Sequence, residues 1–488
     1  MGLVAGVSAT LSQEPYKFWP LVLVAFFCFI YLLDSFCTYQ DNRHRYAFCL
    51  GWGIYAIWMC NWISFFGPIA LIAFLFAESF FAYIFVTLTA KLKRYLPRSL
   101  HYAICWVLFE WIIGNIPILS FTWLSFSTTL INTPAAFLSR VGGGALLTFV
   151  AVFFSAQAAI YVRNTRAKME SQTKKSFFYR FSFALVLTII LIVLSSVHLG
   201  EEVQTKTVSV VQGNDKNRYL TQEEIDSDYL LNSHLDLANS ISNKRDFIIF
   251  PESAFQDDPE QDLELKSSLK PIAAKTKSMV ILNTIASEDD QDFNRNYFYS
   301  PGMNLYGSYD KKRLVPFGEY VPAESLIGSW SIFEDIGSGF TPGTNDETLN
   351  GVTSLICYES TFTNDVKNAL TSDSKLLVIT TNNRSYRRSG NSAQHLAQSR
   401  LRAAEFGIGV VHASVSGSSA IIDRRGNVTN RTELFERKVL SGNVQWGQAD
   451  SIYSKTGDWL SLVALLVVVC TALIQLRKMR WKSQTSIN

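Results

Sequence analysis

The chain has 488 residues, 48% of them hydrophobic and 14% aromatic, with a net charge of +3 at pH 7. So even a charge balance argues against a nucleic-acid partner, which needs a concentrated basic face. Length alone would suggest two or three soluble domains, but the apolar residues are too unevenly spread for that.

From the N-terminus to about Leu199, apolar runs recur with few charges, each long enough to cross a hydrocarbon layer of about 30 Å. The predicted spans cover residues 19–36, 47–66, 68–90, 102–120, 137–161, 181–198 and 459–476. Ahead of Gln13 the stretch MGLVAGVSATL adds a further one, too short to cross alone, which is either a half-span or the end of a longer segment. It lacks the basic region and small-residue cleavage site of a removable signal peptide.

Basic residues cluster after every second span. Arg43 and Arg45 form the first group, Lys91, Lys93, Arg94 and Arg98 the second. Arg163, Arg166, Lys168, Lys174, Lys175 and Arg180 form the third, and Arg477, Lys478, Arg480 and Lys482 the last. Short loops rich in Lys and Arg stay cytoplasmic. The alternation therefore predicts eight crossings with both termini inside, and a segment from about Gly200 to Asp458 outside. Asp34, Glu78, Glu110 and Arg140 lie in or at the ends of spans, where pairing with neighbouring helices is the expected role.

The outer segment is α/β in character. TVSVVQGN, DFIIFPES, MVILNTI, TSLICYES, KLLVITTNN and GVVHASVSG are continuous apolar runs, as expected of strands covered on both faces. TQEEIDSDYLLNSHLDLANSISN and NSAQHLAQSRLRAAEFG have helical periodicity, the second with Gly407 as its C-cap. This alternation predicts a layered domain with helices outside the sheets. The expected organisation is a bundle over 1–199, an extracytoplasmic domain over 200–458, and a final helix with a basic tail over 459–488.

Six of the seven cysteines (Cys28, Cys37, Cys49, Cys60, Cys105 and Cys470) fall in or beside spans and read as small hydrophobes. Cys357 differs, because its domain holds no second cysteine with which to form a disulfide. It ends the run SLIC, as Glu252 ends IIFPE and Asn382 and Asn383 end VITTNN. A nucleophilic cysteine needs a base or a cation to form its thiolate. His234, His395 and His412 are the histidines available, none at an obvious strand end, and His395 reads as structural. A carboxylate and a lysine do the same work, and YDKKRLVPFGEYVP supplies Lys311, Lys312 and Glu319 in a segment fixed by two prolines and a glycine. No metal-ligand cluster is visible.

FPESAF, YDKKRLVPFGEYVP and ICYES, in that order, resemble the Glu, Lys, Cys triad of the apolipoprotein N-acyltransferases, membrane-embedded relatives of the nitrilases. PYKFWP, VVQGN and YSKTGDW extend the resemblance over nearly the whole chain. It implies a membrane bundle of about eight spans carrying a nitrilase-like αββα sandwich, in the bacterial cytoplasmic membrane. It also implies Glu252 as general base, Lys311 as the stabilising cation and Cys357 as nucleophile. Glu319 is then an auxiliary carboxylate, with Tyr358 and Glu359 shaping the pocket. The implied reaction moves an acyl chain from a membrane phospholipid, through a Cys357 thioester, to the α-amine of a lipoprotein's diacylglyceryl-cysteine. No cofactor is implied.

Two features depart from the family pattern. Asn383 stands where Asp is usual, and the loop Asn382 to Gly390 carries Arg384, Arg387 and Arg388. Either loop packing or binding of an anionic head group accounts for the arginines. A tryptophan usual after the QGN strand is missing from DKNRYLTQEE. Two other functions fit the residues less well: a membrane-tethered amidase that passes the acyl group to water, and an inactive lipid-binding protein.

Overall fold

The computed structural model describes residues 1–116, 120–166, 172–196, 203–322, 339–345 and 348–485. The chain folds as two compact units, one made of Met1–His198 with Lys455–Asn488, the other of Leu199–Ser454.

The first unit is helical. Four helices are both long and apolar enough to cross a membrane: Leu21–Tyr39, Pro68–Lys91, Pro134–Arg166 and Trp459–Arg480. The other expected spans correspond to helices that fall short of that standard for identifiable reasons. Asn42–Met59 opens on NRHR and gives way to a 3-10 turn at Asn61–Phe66, while Arg98–Asn115 carries Arg98, His101 and Glu110. Gly2–Ser12 is short, and so is the apolar part of Gln172–Ser196, from Phe181 to Ser196. Residues 117–119 and 197–198, the ends of two expected spans, lie outside the described residues. The long helix from Ser139 to Arg166 is broken at Gly142 and Gly143, the latter with φ +64°.

The short first helix is held by glycine contacts. A Cβ on Gly6 would stand 2.4 Å from the Gly51 carbonyl oxygen, and one on Gly51 would stand 2.6 Å from that of Gly2. Backbones this close need small residues on both faces. Gly51→Val therefore forces the two helices apart. The expected cost is about 1–3 kcal/mol, read as a lower melting temperature of the detergent-solubilised protein beside an unchanged Gly53→Val control, since a Cβ on Gly53 would meet only the Ser79 hydroxyl, at 3.7 Å.

Acidic groups buried inside this unit are ion-paired or hydrogen-bonded. Asp34, 1% exposed at its side chain, has Arg163 Nε at 2.6 Å, Arg98 at 3.2 Å and Arg94 at 3.6 Å. The Tyr102 hydroxyl donates to the same carboxylate at 2.6 Å. Glu78 accepts from the Trp52 indole, and Glu110 from Trp106, Ser125 and Thr148. These polar groups join helices where an unpaired charge would be costly.

The second unit contains two six-stranded sheets. In chain order the strands of the first are β1 (Gln204–Gln212), β2 (Phe247–Ile249), β3 (Met279–Glu288), β4 (Gln291–Tyr299), β5 (Leu305–Asp310) and β12 (Lys438–Trp446). Those of the second are β6 (Thr348–Leu349), β7 (Val352–Ile356), β8 (Leu376–Thr381), β9 (Gly409–Ser414), β10 (Ala420–Ile422) and β11 (Val428–Arg431). The spatial orders are β12-β1-β2-β3-β4-β5 and β11-β10-β9-β8-β7-β6. β1, β2 and β3 run parallel, as do β7, β8 and β9, and the flanking pairs are antiparallel.

Period-two alternation builds the layers. Val208, Val210, Phe247, Ile249, Met279, Ile281 and Phe298 face the second sheet and join its apolar residues in one core. Val211, Ile248, Phe250, Val280 and Leu282 point the other way and pack under Ala238 of the helix Tyr229–Asn239 and Leu265, Leu269 and Ile272 of the helix Leu263–Thr276. On the far side, Leu396, Ala403 and Phe406 of the helix Asn391–Phe406 cover the second sheet, and Gly407 caps that helix at φ +64°. The arrangement is helix, sheet, sheet, helix. Between the sheets, Asn296 donates to Ser354 at 2.6 Å and accepts from Thr380 at 3.0 Å, a satisfied polar bridge in an apolar layer.

Candidate active site

Parallel strands present their carboxyl ends on one edge of each sheet, and the chemistry-bearing residues follow those ends. Glu252 lies three residues beyond β2, Cys357 directly follows β7, and Asn382 directly follows β8. Lys311 follows β5, at the other side of the first sheet.

The strand ending at Ile356 does not simply continue. Cys357 has φ +52°, a left-handed conformation that a side chain rarely adopts, and opens the 3-10 turn Cys357–Thr361. Glu359 holds this turn in place. Its Oε2 accepts from the Ile356 amide at 2.8 Å. Its Oε1 accepts from the amides of Lys312 and Arg313, at 2.7 and 3.1 Å, and from the Tyr309 hydroxyl at 2.8 Å. One buried carboxylate thus ties the cysteine turn to the lysine segment. Burial pushes it up to about 7, against the backbone hydrogen bonds donated to it.

Lys311 is 1% exposed and Glu252 is 5% exposed. The ammonium lies 2.8 Å from Glu319 Oε1 and 3.4 Å from Glu252 Oε1. Asn294, on β4, donates through one amide nitrogen to both carboxylates, at 2.8 Å to Glu252 and 3.1 Å to Glu319. Its own oxygen accepts from Asn283 at 2.8 Å, which orients the amide. The Asn382 amide donates to the second oxygen of Glu252 at 2.7 Å, and the Val315 amide to that of Glu319 at 2.8 Å. Both carboxylates are therefore held at both oxygens.

Burial pulls the Lys311 ammonium down, but Glu252, Glu319 and Cys357 together hold it well above the ordinary lysine value. It stays charged at any working pH. Burial, and after it Glu252, pushes the Cys357 thiol up to about 12, against Lys311 and a hydrogen bond at 3.3 Å from the Thr381 hydroxyl. The resting sulfur is thus a protonated thiol beside a carboxylate and a cation. Iodoacetamide should therefore alkylate the free enzyme slowly at pH 7 and faster at each step up to pH 10, without a plateau near 8.5. Peptide mapping across that pH series checks this.

The remaining residues singled out in the sequence fall into place around this group. Tyr358 sets its ring edge-on to Phe362, centroids 4.8 Å apart, and Arg313 stacks on the other ring at 4.1 Å. His395 bonds the Cys357 carbonyl at 3.0 Å and the Thr381 hydroxyl at 3.2 Å, and burial pulls it down to about 4. A neutral imidazole on the backbone of the cysteine positions that turn and does not serve as its base. Asn383 is buried, donating to Asn391 at 2.9 Å and accepting from Ser414 at 3.1 Å. Its amide N–H makes a bond that the usual Asp would not.

Two residues escaped the sequence reading. Asn294 lies in QDFNRNYFY, whose mixed polarity hid a strand, although alternate asparagines at 294 and 296 are the signal of a polar inner face. Tyr386 is the other. Its phenol is raised by burial first, then by Cys357, with Glu252 and Glu319 adding to the shift and Lys311 opposing it.

A family model described as carbon-nitrogen hydrolase matches residues 207–453, and one described as apolipoprotein N-acyltransferase N-terminal domain matches residues 5–157. The chain belongs to the carbon-nitrogen hydrolases, in the apolipoprotein N-acyltransferase family. A relative of that name from Pseudomonas syringae pv. tomato is 29% identical, with 96% of this chain and 95% of that protein covered. Another from Haemophilus influenzae is 26% identical, over 98% and 95%. One from Geobacter metallireducens is 30% identical, but over 60% of this chain and 59% of that protein. Among solved structures, XC1258 from Xanthomonas campestris, a CN-hydrolase superfamily protein, superposes with a TM-score of 0.38 at 18% identity. The match covers 49% of this chain and 91% of that one. The family is thus carried by both halves of the sequence, and membership makes the buried carboxylates, ammonium and thiol the natural place to look for chemistry.

Proposed function

We propose that this chain transfers an acyl group from a membrane phospholipid to the α-amine of a lipoprotein's N-terminal diacylglyceryl-cysteine. The observation that carries the reading is the buried Lys311 ammonium between Glu252 and Glu319, with Cys357 close enough to perturb it. The family resemblance of the N-terminal half, found in acyltransferases, favours an amine over water as acceptor.

In this scheme Glu252 takes the thiol proton as sulfur attacks the ester carbonyl, and Lys311 balances the charge that moves onto the carbonyl oxygen. The ester C–O bond breaks, the proton passes from Glu252 to the departing glycerol oxygen, and lysophospholipid leaves. The amine then attacks the thioester. Glu252 accepts its proton and passes it to the departing sulfur as the C–S bond breaks, which regenerates the thiol. Atoms and charge balance without a further reactant. Glu319 keeps Lys311 in register with Glu252, and Tyr358 and Glu359 shape and anchor the turn.

The reading includes eight crossings with both termini cytoplasmic, and the domain layout 1–199, 200–458 and 459–488. Both substrates are then lipids held in the outer leaflet of the bacterial cytoplasmic membrane, on the side of the catalytic domain. Hydrolysis of the thioester by water is the second reading, since the same groups support it.

The test is intact mass of the detergent-solubilised protein after incubation with phospholipid, with hydroxylamine treatment and mapping around Cys357. A hydroxylamine-labile adduct on Cys357 that disappears on adding a diacylated lipopeptide is the expected result. An adduct that decays equally fast without lipopeptide assigns the hydrolase.

A further inference from the structure

Just past β8 the chain carries three arginines in five residues, Arg384, Arg387 and Arg388. The segment starts at the reacting atoms: Thr381 donates to the Cys357 sulfur and the Asn382 amide to Glu252. Arg384 Nε is buried and has no hydrogen-bond partner among the described residues. Burial holds its guanidinium below the usual value, and among the described residues Tyr219, not a carboxylate, opposes that. A desolvated cation without an anion is costly, and a bound anion removes the cost.

Its neighbours add charge. Arg388 is exposed, its guanidinium carbon 5.4 Å from the centre of the Phe435 ring. Arg387, also exposed, lies over Tyr219 at 5.9 Å. The acidic residues flanking Phe435 are paired elsewhere, Glu433 with Arg431 and Glu436 with Lys438.

We propose that Arg384, with Arg387 and Arg388 beside it, binds the phosphodiester of an anionic glycerophospholipid whose acyl carbonyl lies at Cys357. Guanidinium suits phosphate by geometry as well as by charge. An acyl carbonyl carbon and the phosphorus of one glycerophospholipid are separated by six single bonds, a reach of roughly 7 Å. That is commensurate with the two residues, Asn382 and Asn383, that separate Thr381 from Arg384. The inference rests on the acyl-transfer reading for its choice of ligand, but its test does not depend on turnover.

The first arm measures binding of phosphatidylglycerol and of phosphatidylethanolamine to full-length Cys357→Ala protein in detergent. Adding Arg384→Gln should weaken phosphatidylglycerol binding by about tenfold and phosphatidylethanolamine binding less, while Arg384→Lys recovers part of the loss. Unaltered melting temperatures establish that the variants are folded. In the enzyme with its cysteine intact, Arg384→Gln should raise KM for phosphatidylglycerol and leave the lipopeptide-dependent decay of a preformed acyl-enzyme unchanged. Unchanged binding of phosphatidylglycerol in Arg384→Gln overturns the proposal, and so does its full displacement by inorganic phosphate, which would assign a free-phosphate site. Arg384-dependent binding without any Cys357 adduct would uphold the lipid site and refute the transfer reaction instead.

Discussion

Cys357→Ala protein should fold and bind lipid yet form no acyl adduct, and its lipopeptide acylation should fall by on the order of 10⁴-fold or more. The sulfur is the atom through which both half-reactions pass, so no other group in the site can replace it. The neighbouring thiols cannot substitute either, because every other cysteine belongs to the helical unit. Truncation removes one small side chain, whose sulfur accepts from the Thr381 hydroxyl at 3.3 Å, so the melting temperature should hardly move. Intact mass after incubation with phospholipid, beside a melting curve, reads both quantities. A hydroxylamine-labile adduct persisting in Cys357→Ala would place the nucleophile elsewhere.

Lys311→Met should be damaging in a different way, costing stability as well as activity. The ammonium stands between two buried carboxylates, at 2.8 and 3.4 Å, and both also receive the Asn294 amide. Methionine fills much of the volume but leaves two negative charges facing each other. Removing one partner of a buried ionic group costs about 3–5 kcal/mol.

The pH dependence distinguishes this from simple loss of packing. In the native protein the Lys311 value is raised, so its contribution to stability is fully present below the ordinary lysine value and is lost only as pH rises through its higher folded value. Between pH 5 and 9 that contribution is constant. In Lys311→Met the carboxylates repel, protonation of one relieves the repulsion, and stability should rise as pH falls from 8 to 5. Urea melts at the two pH values measure the difference. A destabilisation equal at both would mean that the carboxylates are not left facing each other. Lys312→Met is the control for loss of a neighbouring lysine, since its contact with Glu359 is made by the backbone amide, which the substitution keeps.

Much of the outer domain was readable because its central strands are parallel and covered on both faces, which leaves continuous apolar runs. β1, β2, β3, β7, β8 and β9 correspond to the six runs singled out, and the helix over 391–406 ends at its glycine. β4, β5, β10, β11 and β12 were not singled out. Of these flanking antiparallel strands, β10 is only the three residues AII, and the others carry polar residues on one face or both, as in LYGSYD and VTNR, and so lack that signature. The segment read as one helical stretch over 221–243 is two helices, Gln222–Asp226 and Tyr229–Asn239, separated at Asp228 by a left-handed residue with φ +50°.

By itself, the order of residues determined where several chemistry-bearing groups stand: Glu252, Cys357 and Asn382 each lie at or just past the end of a strand, because a polar residue ending a buried run must emerge at a sheet edge. It also separated a membrane-like first part from a layered second part, since apolar length and strand periodicity are local properties. Only the tertiary structure decided which of these groups meet. Lys311 is brought to Glu252 by pairing of β5 with β4 and β4 with β3, and Asn294 becomes a site residue through that same antiparallel register. Glu359 spans the gap between a turn after β7 and a segment after β5, elements of different sheets. Such contacts depend on sheet order and on the stacking of two layers, which arise from burial summed over the whole domain and leave no mark in any short stretch of sequence.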